Sequence, residues 1–299
     1  MKTSQLKITY NDINDKSIFI NWGGEEREEI FKEILKAMSL RVLAKTINHD
    51  IPTLSEIKNG TVKPSTRVYF SILNMLNLNI DLCSLTISSR NGKSIRIIRD
   101  YISPELLGLI DSDGFLVIRK KVVMCGFYNK NKTLTRRFIQ LLNMSFKCNL
   151  YKERDKRDGT FVIRLPGVIG RILIKKFGEK TSKNIIIPDL LIEEVPSYIR
   201  GVFDGDGTIY YYKNSKISIP TIRICTGDKL HAENLKNTLK RIDIYSRICC
   251  ERSKNSTFWN VVITRQRDVL RFIEKVGSSH PKKKKRMDNI KQILNSKLK

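Results

Sequence analysis

Histidine is scarce in this chain: only His49, His231 and His280 occur among 299 residues, which leaves imidazole chemistry little material. The six cysteines, Cys83, Cys125, Cys148, Cys225, Cys249 and Cys250, form no Cys-x-x-Cys pair, so neither a zinc site nor a disulfide framework is expected. Buried, reduced thiols are the expectation instead. No apolar run approaches the roughly 20 residues of a membrane-spanning helix, and Met1-Lys2-Thr3-Ser4-Gln5 leads into no signal-like apolar core. No membrane partner is expected, and a cytoplasmic, nucleoid-associated protein is, with organellar or nuclear residence left open. Negative charge is also short: 30 Asp and Glu face 56 Lys and Arg, leaving +26 and a pI near 9.9. Such an excess implies a polyanionic partner, of which nucleic acid is the commonest. With 40% hydrophobic and 29% charged residues, the composition is that of an ordinary globular chain able to bury one large or two modest cores. Its chemistry must rest on carboxylates, lysines and metal.

One stretch is present twice: Leu106-Leu107-Gly108-Leu109-Ile110-Asp111-Ser112-Asp113-Gly114, and Ile199-Arg200-Gly201-Val202-Phe203-Asp204-Gly205-Asp206-Gly207. Each copy is a short apolar run, interrupted by one glycine, that ends in Asp-x-Asp-Gly and opens onto a β-rich segment. The pattern predicts a helix, a glycine stop and a strand. A mid-helix glycine costs roughly 1 kcal/mol against alanine, so Gly108 and Gly201 at matching positions need a packing reason. Two helices touching through those glycines supply one, and their C-terminal ends then bring Asp113 near Asp206. Carboxylates so placed repel unless protons or cations intervene. Hard divalent cations take oxygen ligands and keep several waters, so such a pair facing a phosphodiester is a candidate metal site. One Asp-x-Asp-Gly alone is more often a simple turn; two copies with the same flanks favour the metal reading.

Both copies resemble the signature of the LAGLIDADG homing endonucleases, and the pair resembles the family's single-chain, two-repeat form. The resemblance implies a site-specific double-strand DNA endonuclease that hydrolyses phosphodiester bonds with Mg²⁺ or Mn²⁺. Asp113 and Asp206 are then the catalytic metal ligands, with Ser112 and Gly205 beside them at the metal, while Asp111 and Asp204 cap or orient. In the family, a lysine after a glycine-containing turn approaches the metal. Aligned on the turns at Gly178 and Gly277, that role falls to Lys180 and Lys283, with Lys183 and Lys282 as close competitors. Two rival functions are a DNA-binding regulator that lost cleavage and an intron-RNA splicing cofactor (maturase), the latter making intron RNA an alternative partner. A protein-splicing element is not expected, since no splicing block or terminal His-Asn is seen.

Toward the N-terminus, Ile30, Phe31, Ile34, Leu35 and Met38 recur at helical spacing, and Ser39, Asp50 with Pro52, and Asn59-Gly60 read as helix starts and stops. This segment resembles the phage-repressor (Cro/CI-like) helix-turn-helix family. The likeness rests on Leu43-Ala44, Leu54-Ser55-Glu56-Ile57, Asn59-Gly60, Lys63-Pro64-Ser65 and a final helix with Ile72, Leu73 and Leu76. It implies that Asp50, Ile51, Thr53, Ser55 and Lys58 lie nearest DNA. The Ser- and Arg-rich stretch over 84–99 reads as a linker. The run Pro281 to Arg286 also resembles a nuclear localisation signal, although its place in the repeat explains it without one.

After each motif the pattern runs strand, strand, helix, hairpin, helix. The expected fold is α+β: two pseudo-symmetric αββαββα units with curved antiparallel sheets, packed through the motif helices, plus a small all-α helix-turn-helix domain. The expected division is an unassigned segment over 1–26, a helix-turn-helix domain over 27–83, the linker over 84–99, and repeats over 100–195 and 196–299. A monomer with an internal pseudo-twofold follows. The strands carry Arg119, Lys121, Arg154, Arg164, Tyr210, Tyr212, Arg223, Arg247, Arg252 and Arg265, expected on one DNA-facing surface, with Val117, Ile163, Ile209, Ile224 and Val262 on the other.

Overall fold

The structure is a computed structural model describing residues 4–90, 92–155, 157–180, 188–214, 217–253 and 256–296; the side chains of 212–218 are not described. The chain opens with α1 (Tyr10–Ile13), β1 (Ile18–Ile20) and four helices: α2 (Gly24–Ala37), α3 (Leu40–Thr46), α4 (Ile51–Asn59) and α5 (Thr66–Met75). Their ends are set locally. Ser39 accepts from the Val42 amide, Asp50 from the Thr53 amide at 2.7 Å, and Ser65 from the Val68 amide, while Gly60 closes α4 in the left-handed region at φ 78°. Ile30, Phe31, Ile34, Leu43, Leu54, Ile57, Phe70 and Ile72 are buried. Leu35 of the same spacing is left at the surface.

The stretch read as a linker is instead part of a sheet. β2 (Thr86–Ser89) and β3 (Ile95–Ile97) lie between β1 and β6 (Phe146–Cys148), in the order β1-β2-β3-β6. The physical reason is apolar burial: Ile87, Ile95 and Ile97 are buried, Arg96 carries the outer position between the last two, and Ser88 is buried beside Ile87. The unassigned start is tied in as well. The Ile8 amide donates to Asp100, the Ile102 amide donates to Leu6, and Asp12 forms a largely buried ion pair with Lys176 at 2.9 Å.

The remainder contains α6 (Pro104–Asp113), β4 (Gly114–Arg119), β5 (Val122–Asn129), α7 (Lys132–Ser145), β7 (Tyr151–Arg154), β8 (Phe161–Arg164) and α8 (Gly167–Phe177). It continues with α9 (Val195–Asp206), β9 (Gly207–Asn214), β10 (Ile217–Thr226), α10 (Lys229–Lys240), β11 (Arg247–Arg252), β12 (Thr257–Ile263), α11 (Gln266–Lys275) and α12 (Pro281–Ser296). The two antiparallel sheets have the orders β4-β5-β8-β7 and β9-β10-β12-β11. β6 and α12 depart from the expected element order. α12 docks through Met287, Ile290 and Leu294, a helical spacing that continues the chain beyond the expected last helix. No helix among the described residues is long and apolar enough to cross a membrane.

Helices α6 and α9 form the centre of the molecule. Leu106, Leu107, Leu109 and Ile110 on one, and Val195, Tyr198, Ile199, Val202 and Phe203 on the other, are all buried. The six cysteines are free, but only Cys125 is fully buried and Cys250 is exposed. The expectation of buried thiols therefore holds fully for Cys125, which lies against Gly170 of α8, while Cys83, Cys148, Cys225 and Cys249 are half-buried.

Candidate functional site

The site is built where α6 and α9 end. A Cβ on Gly108 would stand 2.2 Å from the Tyr198 carbonyl oxygen and 3.0 Å from Gly201 Cα, and one on Gly201 would stand 2.3 Å from the Glu105 carbonyl oxygen. The two backbones touch, and only glycine at both positions permits it. Gly205 sits equally close to its neighbours: a Cβ there would meet Ser112 Oγ at 2.2 Å and Asp113 Oδ2 at 2.9 Å. Thus the second motif's end lies directly against the first motif's carboxylate.

Asp113 and Asp206 feel each other electrostatically. Burial, then the neighbouring Asp113 carboxylate, push Asp206 up to about 6, against the pull of Lys180 and Lys283. Asp206 is nevertheless solvent-exposed on one side, which screens part of that repulsion. Asp113 is raised by burial and opposed by Asn129, whose Nδ2 donates to Oδ2 at 2.6 Å, and by both lysines.

Lys180 Nζ donates to the carbonyls of Ile110, Ser112 and Gly114, each at 2.8 Å. Lys283 Nζ donates to Phe203 at 2.7 Å, to Asp204 at 2.8 Å and to Gly205 at 3.4 Å. Each ammonium therefore neutralises the carbonyl end of one motif helix, where the helix dipole is negative. Burial holds Lys180 below the ordinary lysine range and brings Lys283 down to about 8, despite the surrounding carboxylates. Lys282 is exposed, and Lys183 lies outside the described residues.

The two inner carboxylates take structural partners. Asp111 accepts from the Tyr198 hydroxyl of the opposite helix and is pushed to about 6, chiefly by burial. Asp204 accepts from the Ser279 amide at 2.7 Å and from Ser278 Oγ, which fixes the turn leading to Lys283.

Sequence reading missed Glu105, Asn129, Asn131 and His280. Buried Glu105 receives Arg137 bidentately at 2.8 and 2.7 Å, Ser279 Oγ at 3.0 Å and Arg200 at 3.4 Å, so one carboxylate joins α6, α7, α9 and the turn before α12. Asn131 caps α7, supplies its amide to Asn129 Oδ1 at 2.6 Å, and meets His280 Nε2 at 2.9 Å. None of these lies in the repeated stretch, and only the Asn131 cap had a local signal, the residue type before a helical run.

As a donor set, Asp113 and Asp206 offer hard oxygen ligands, and no cluster of three or more His, Cys, Asp or Glu occurs among the described residues. Asp113 and Asp206 would hold a hard divalent cation such as Mg²⁺, which would supply charge neutralisation to a phosphate group. The carbonyls of Ser112 and Gly205 already receive lysine, each with a lone pair left.

Residues 193–277 match the model of the LAGLIDADG-like domain. That span runs from the start of α9 through α11, so this LAGLIDADG-like domain contains Asp204 and Asp206 but neither the first motif nor Lys283. Among curated proteins, the chain is 24% identical over 184 residues to the replication factor C small subunit of Thermococcus kodakarensis, and 26% identical over 189 residues to that of Methanocaldococcus jannaschii. Each match covers 61% of this chain but only 20% and 10% of those proteins. Among solved structures, I-DmoI in complex with DNA and Mn is 19% identical, with 60% of this chain and 97% of that one covered and a TM-score of 0.42. Full-length DUF199/WhiA is also 19% identical, at 65% and 59% coverage and a TM-score of 0.43. I-SmaMI bound to uncleavable DNA is 14% identical, at 65% and 90% coverage and a TM-score of 0.46.

The strand register sorts the expected DNA-facing residues differently from the sequence. Arg223 stands in one row with Thr208, Val262 and Arg247, and Tyr210 two positions along shares that face. Val262 is therefore on the arginine face rather than the opposite one. Val117 likewise shares a face with Arg119, two residues away, and with Arg164 through the Phe115–Gly126–Arg164 row. Arg154 and Arg252 have the opposite parity to Arg164 and Arg247, because period two reverses a side chain at every odd step. Ile163, Ile209 and Ile224 are buried as expected.

Several of these side chains are already engaged. Arg223 donates to Asn260 Oδ1 at 2.7 Å and to Glu251, and Arg265 lies beyond β12 with its guanidinium 4.0 Å above the Tyr245 ring. Arg154 stacks over Phe161 at 5.6 Å. Lys121 lies in the β4–β5 turn, where it and Lys120 both take positive φ. The Tyr212 side chain lies outside the described residues. In the N-terminal helices Ile51 and Lys58 are exposed and Thr53 and Ser55 partly so, whereas the Asp50 carboxylate is spent capping α4.

Proposed function

We propose that the protein is a divalent-metal-dependent, site-specific double-strand DNA endonuclease, acting as a monomer with an internal pseudo-twofold. The observation that carries this reading is the pairing of Asp113 with Asp206 at the ends of two helices in backbone contact, each end held by its own lysine. Asp113 and Asp206, with the Ser112 and Gly205 carbonyls beside them, would hold Mg²⁺ or Mn²⁺. The bound cation would supply Lewis acidity at the scissile phosphate.

The chain's own residues prepare that event. Asn129 fixes the rotamer of Asp113, while the Tyr198 to Asp111 contact and the Ser278–Ser279 turn hold the two helix ends in register. Lys180 and Lys283 place positive charge beside the position of a phosphate; burial lowers the proton affinity of both, bringing Lys283 to about 8. The formal excess of +26 supplies phosphate affinity, with the exposed Arg119 and Arg247 as sheet residues open to contact DNA, while Arg164 pairs with Glu153 at 3.8 Å and Tyr210 meets Arg223. The helices α3 and α4 serve as a helix-turn-helix that contacts the flanking duplex through Ile51, Thr53, Ser55 and Lys58.

A DNA-binding regulator on the same scaffold is the second reading, favoured by the N-terminal helices. Supercoiled plasmid carrying a site selected from a randomised duplex library separates the two. Mg²⁺-dependent linearisation is expected from the native protein. Asp113→Asn and Asp206→Asn should each abolish it while binding persists, because phosphate contacts supply most of the affinity. Retained cleavage by either variant overturns the metal assignment.

A further inference from the structure

Two adjoining cavities, of about 530 and 600 Å³, share Lys16, Phe19 and Arg90 and together form one trough. The first extends to Arg171 of α8, and the second to Thr53 and Lys63 beside α4. Four cations thus converge from four separate pieces of chain: the loop before β1, the segment after α4, the turn after β2, and a helix of the first motif unit. No carboxylate lines either cavity. Of the carboxylates adjacent in sequence to lining residues, Asp15 accepts from the amide of Ser17 at 2.7 Å and from its hydroxyl, and Asp50 caps α4. Asp15 also attracts Arg171 and offsets part of its charge. Among the described residues, none of the four cations forms a salt bridge, and Lys16, Lys63 and Arg90 are exposed.

A solvated surface does not need this arrangement. Unpaired cations drawn together without counter-charges repel one another, and a polyanion removes that cost. The floor is an aromatic ring, Phe19, because β1 buries Ile18 and Ile20 and leaves Phe19 half-buried, and the hydroxyl-bearing Ser65 and Ser89 line the trough beside it. Hydroxyls and cations around a shallow floor suit a sugar-phosphate backbone, to which such side chains donate.

We propose that this trough seats the phosphate backbone of duplex DNA flanking the cleaved site, so that the N-terminal helices and the first motif unit grip one continuous duplex. The proposal rests on the DNA-endonuclease reading and adds Lys16, Lys63, Arg90 and Arg171 to its DNA-binding residues. It also gives the sheet β1-β2-β3-β6 a purpose, since that sheet fixes the distance between the α4 face and the catalytic carboxylates.

The test is a salt series of binding by fluorescence anisotropy, in EDTA, with the full chain and a long mixed-sequence duplex. The double variant Lys16→Ala/Arg90→Ala should reduce the slope of log affinity against log salt by about 1.8, at about 0.9 for each phosphate that is no longer neutralised. A control with the same charge change, Lys229→Ala/Lys291→Ala, removes lysines already paired with Glu233 and Glu274 and should leave the slope unchanged. Matching melting temperatures show that both variants fold. Equal slopes for the trough variant and the native protein overturn the proposal while leaving the endonuclease reading intact. A reduced slope on a hairpin RNA but not on the duplex overturns it in favour of RNA. A flat salt dependence of the native protein removes the DNA reading itself, and the trough with it.

Discussion

Replacing Gly108 with alanine sets two opposed effects against each other. Local propensity favours the change, since alanine in a helix interior is better than glycine by about 1 kcal/mol. The tertiary contact opposes it: the new Cβ would lie 2.2 Å from the Tyr198 carbonyl oxygen, 2.8 Å from the Val202 amide nitrogen and 3.0 Å from Gly201 Cα, where ordinary contact is 3.4–4 Å. All three are backbone atoms of α9, so no side chain can rotate away and the helices must separate. Overpacking of this kind costs about 1–3 kcal/mol, and rigid neighbours on every side place it at or beyond the upper end. The net expectation is a destabilisation of about 2 kcal/mol, read as a shift in urea midpoint without a change in m, or as a melting temperature lower by roughly 4–8 °C. Gly227→Ala is the control, because a Cβ there meets nothing within 4 Å. The same separation moves Asp113 from Asp206, so cleavage should fall by more than stability alone explains. A Gly108→Ala protein as stable as the native one would refute the backbone-contact account of the paired glycines.

pH should act at the same two helix ends. Asp111 and Asp206 both sit at about 6, above the ordinary value of 3.8, so the folded state holds their protons more tightly than the unfolded chain does. Their contribution to stability is therefore most favourable below about pH 4 and is lost as pH rises through 6; Asp206→Asn should gain on the native protein in melting temperature at pH 8 but not at pH 4. Cleavage should move oppositely, rising between pH 5 and 7 as Asp206 ionises, and a pH-independent rate would refute its proposed role as a ligand. Removing residues 1–85 should not leave an intact nuclease: β3 is deprived of the strand order that β1 helps to close, Asp100 and Ile102 are parted from Ile8 and Leu6, and Lys176 is left buried without Asp12. A truncated chain with native-like melting would show that the first unit closes without that sheet.

How far the sequence could be read depended on how local each cause was. Helix stops, caps and the repeated motif are set within a few residues, so α3, α4, α6 and α9 were legible, as were the glycine contact and the two carboxylates it brings together. The lysines were legible only through the family likeness, since nothing near Lys180 or Lys283 in sequence marks a side chain that folds back onto carbonyls about 70 and 80 residues away. Faces of the strands were misread where parity was not counted, as at Val117 and Val262. The stretch over 84–99 looked like a linker because its apolar residues are few and widely spaced.

By itself, the sequence determined a basic, duplicated α+β chain with two Asp-x-Asp-Gly ends and few reactive side chains beyond carboxylate and lysine. Only the tertiary structure decided which partner each charge meets. Glu105 gathers Arg137, Arg200 and Ser279, Asn129 holds Asp113, and Lys16 and Arg90 converge with Arg171 across a sheet whose strands are far apart in the chain. The physical reason is range: capping and periodicity act over one or two turns of chain, whereas charge pairing and desolvation depend on distance in space, which is fixed only when the core closes.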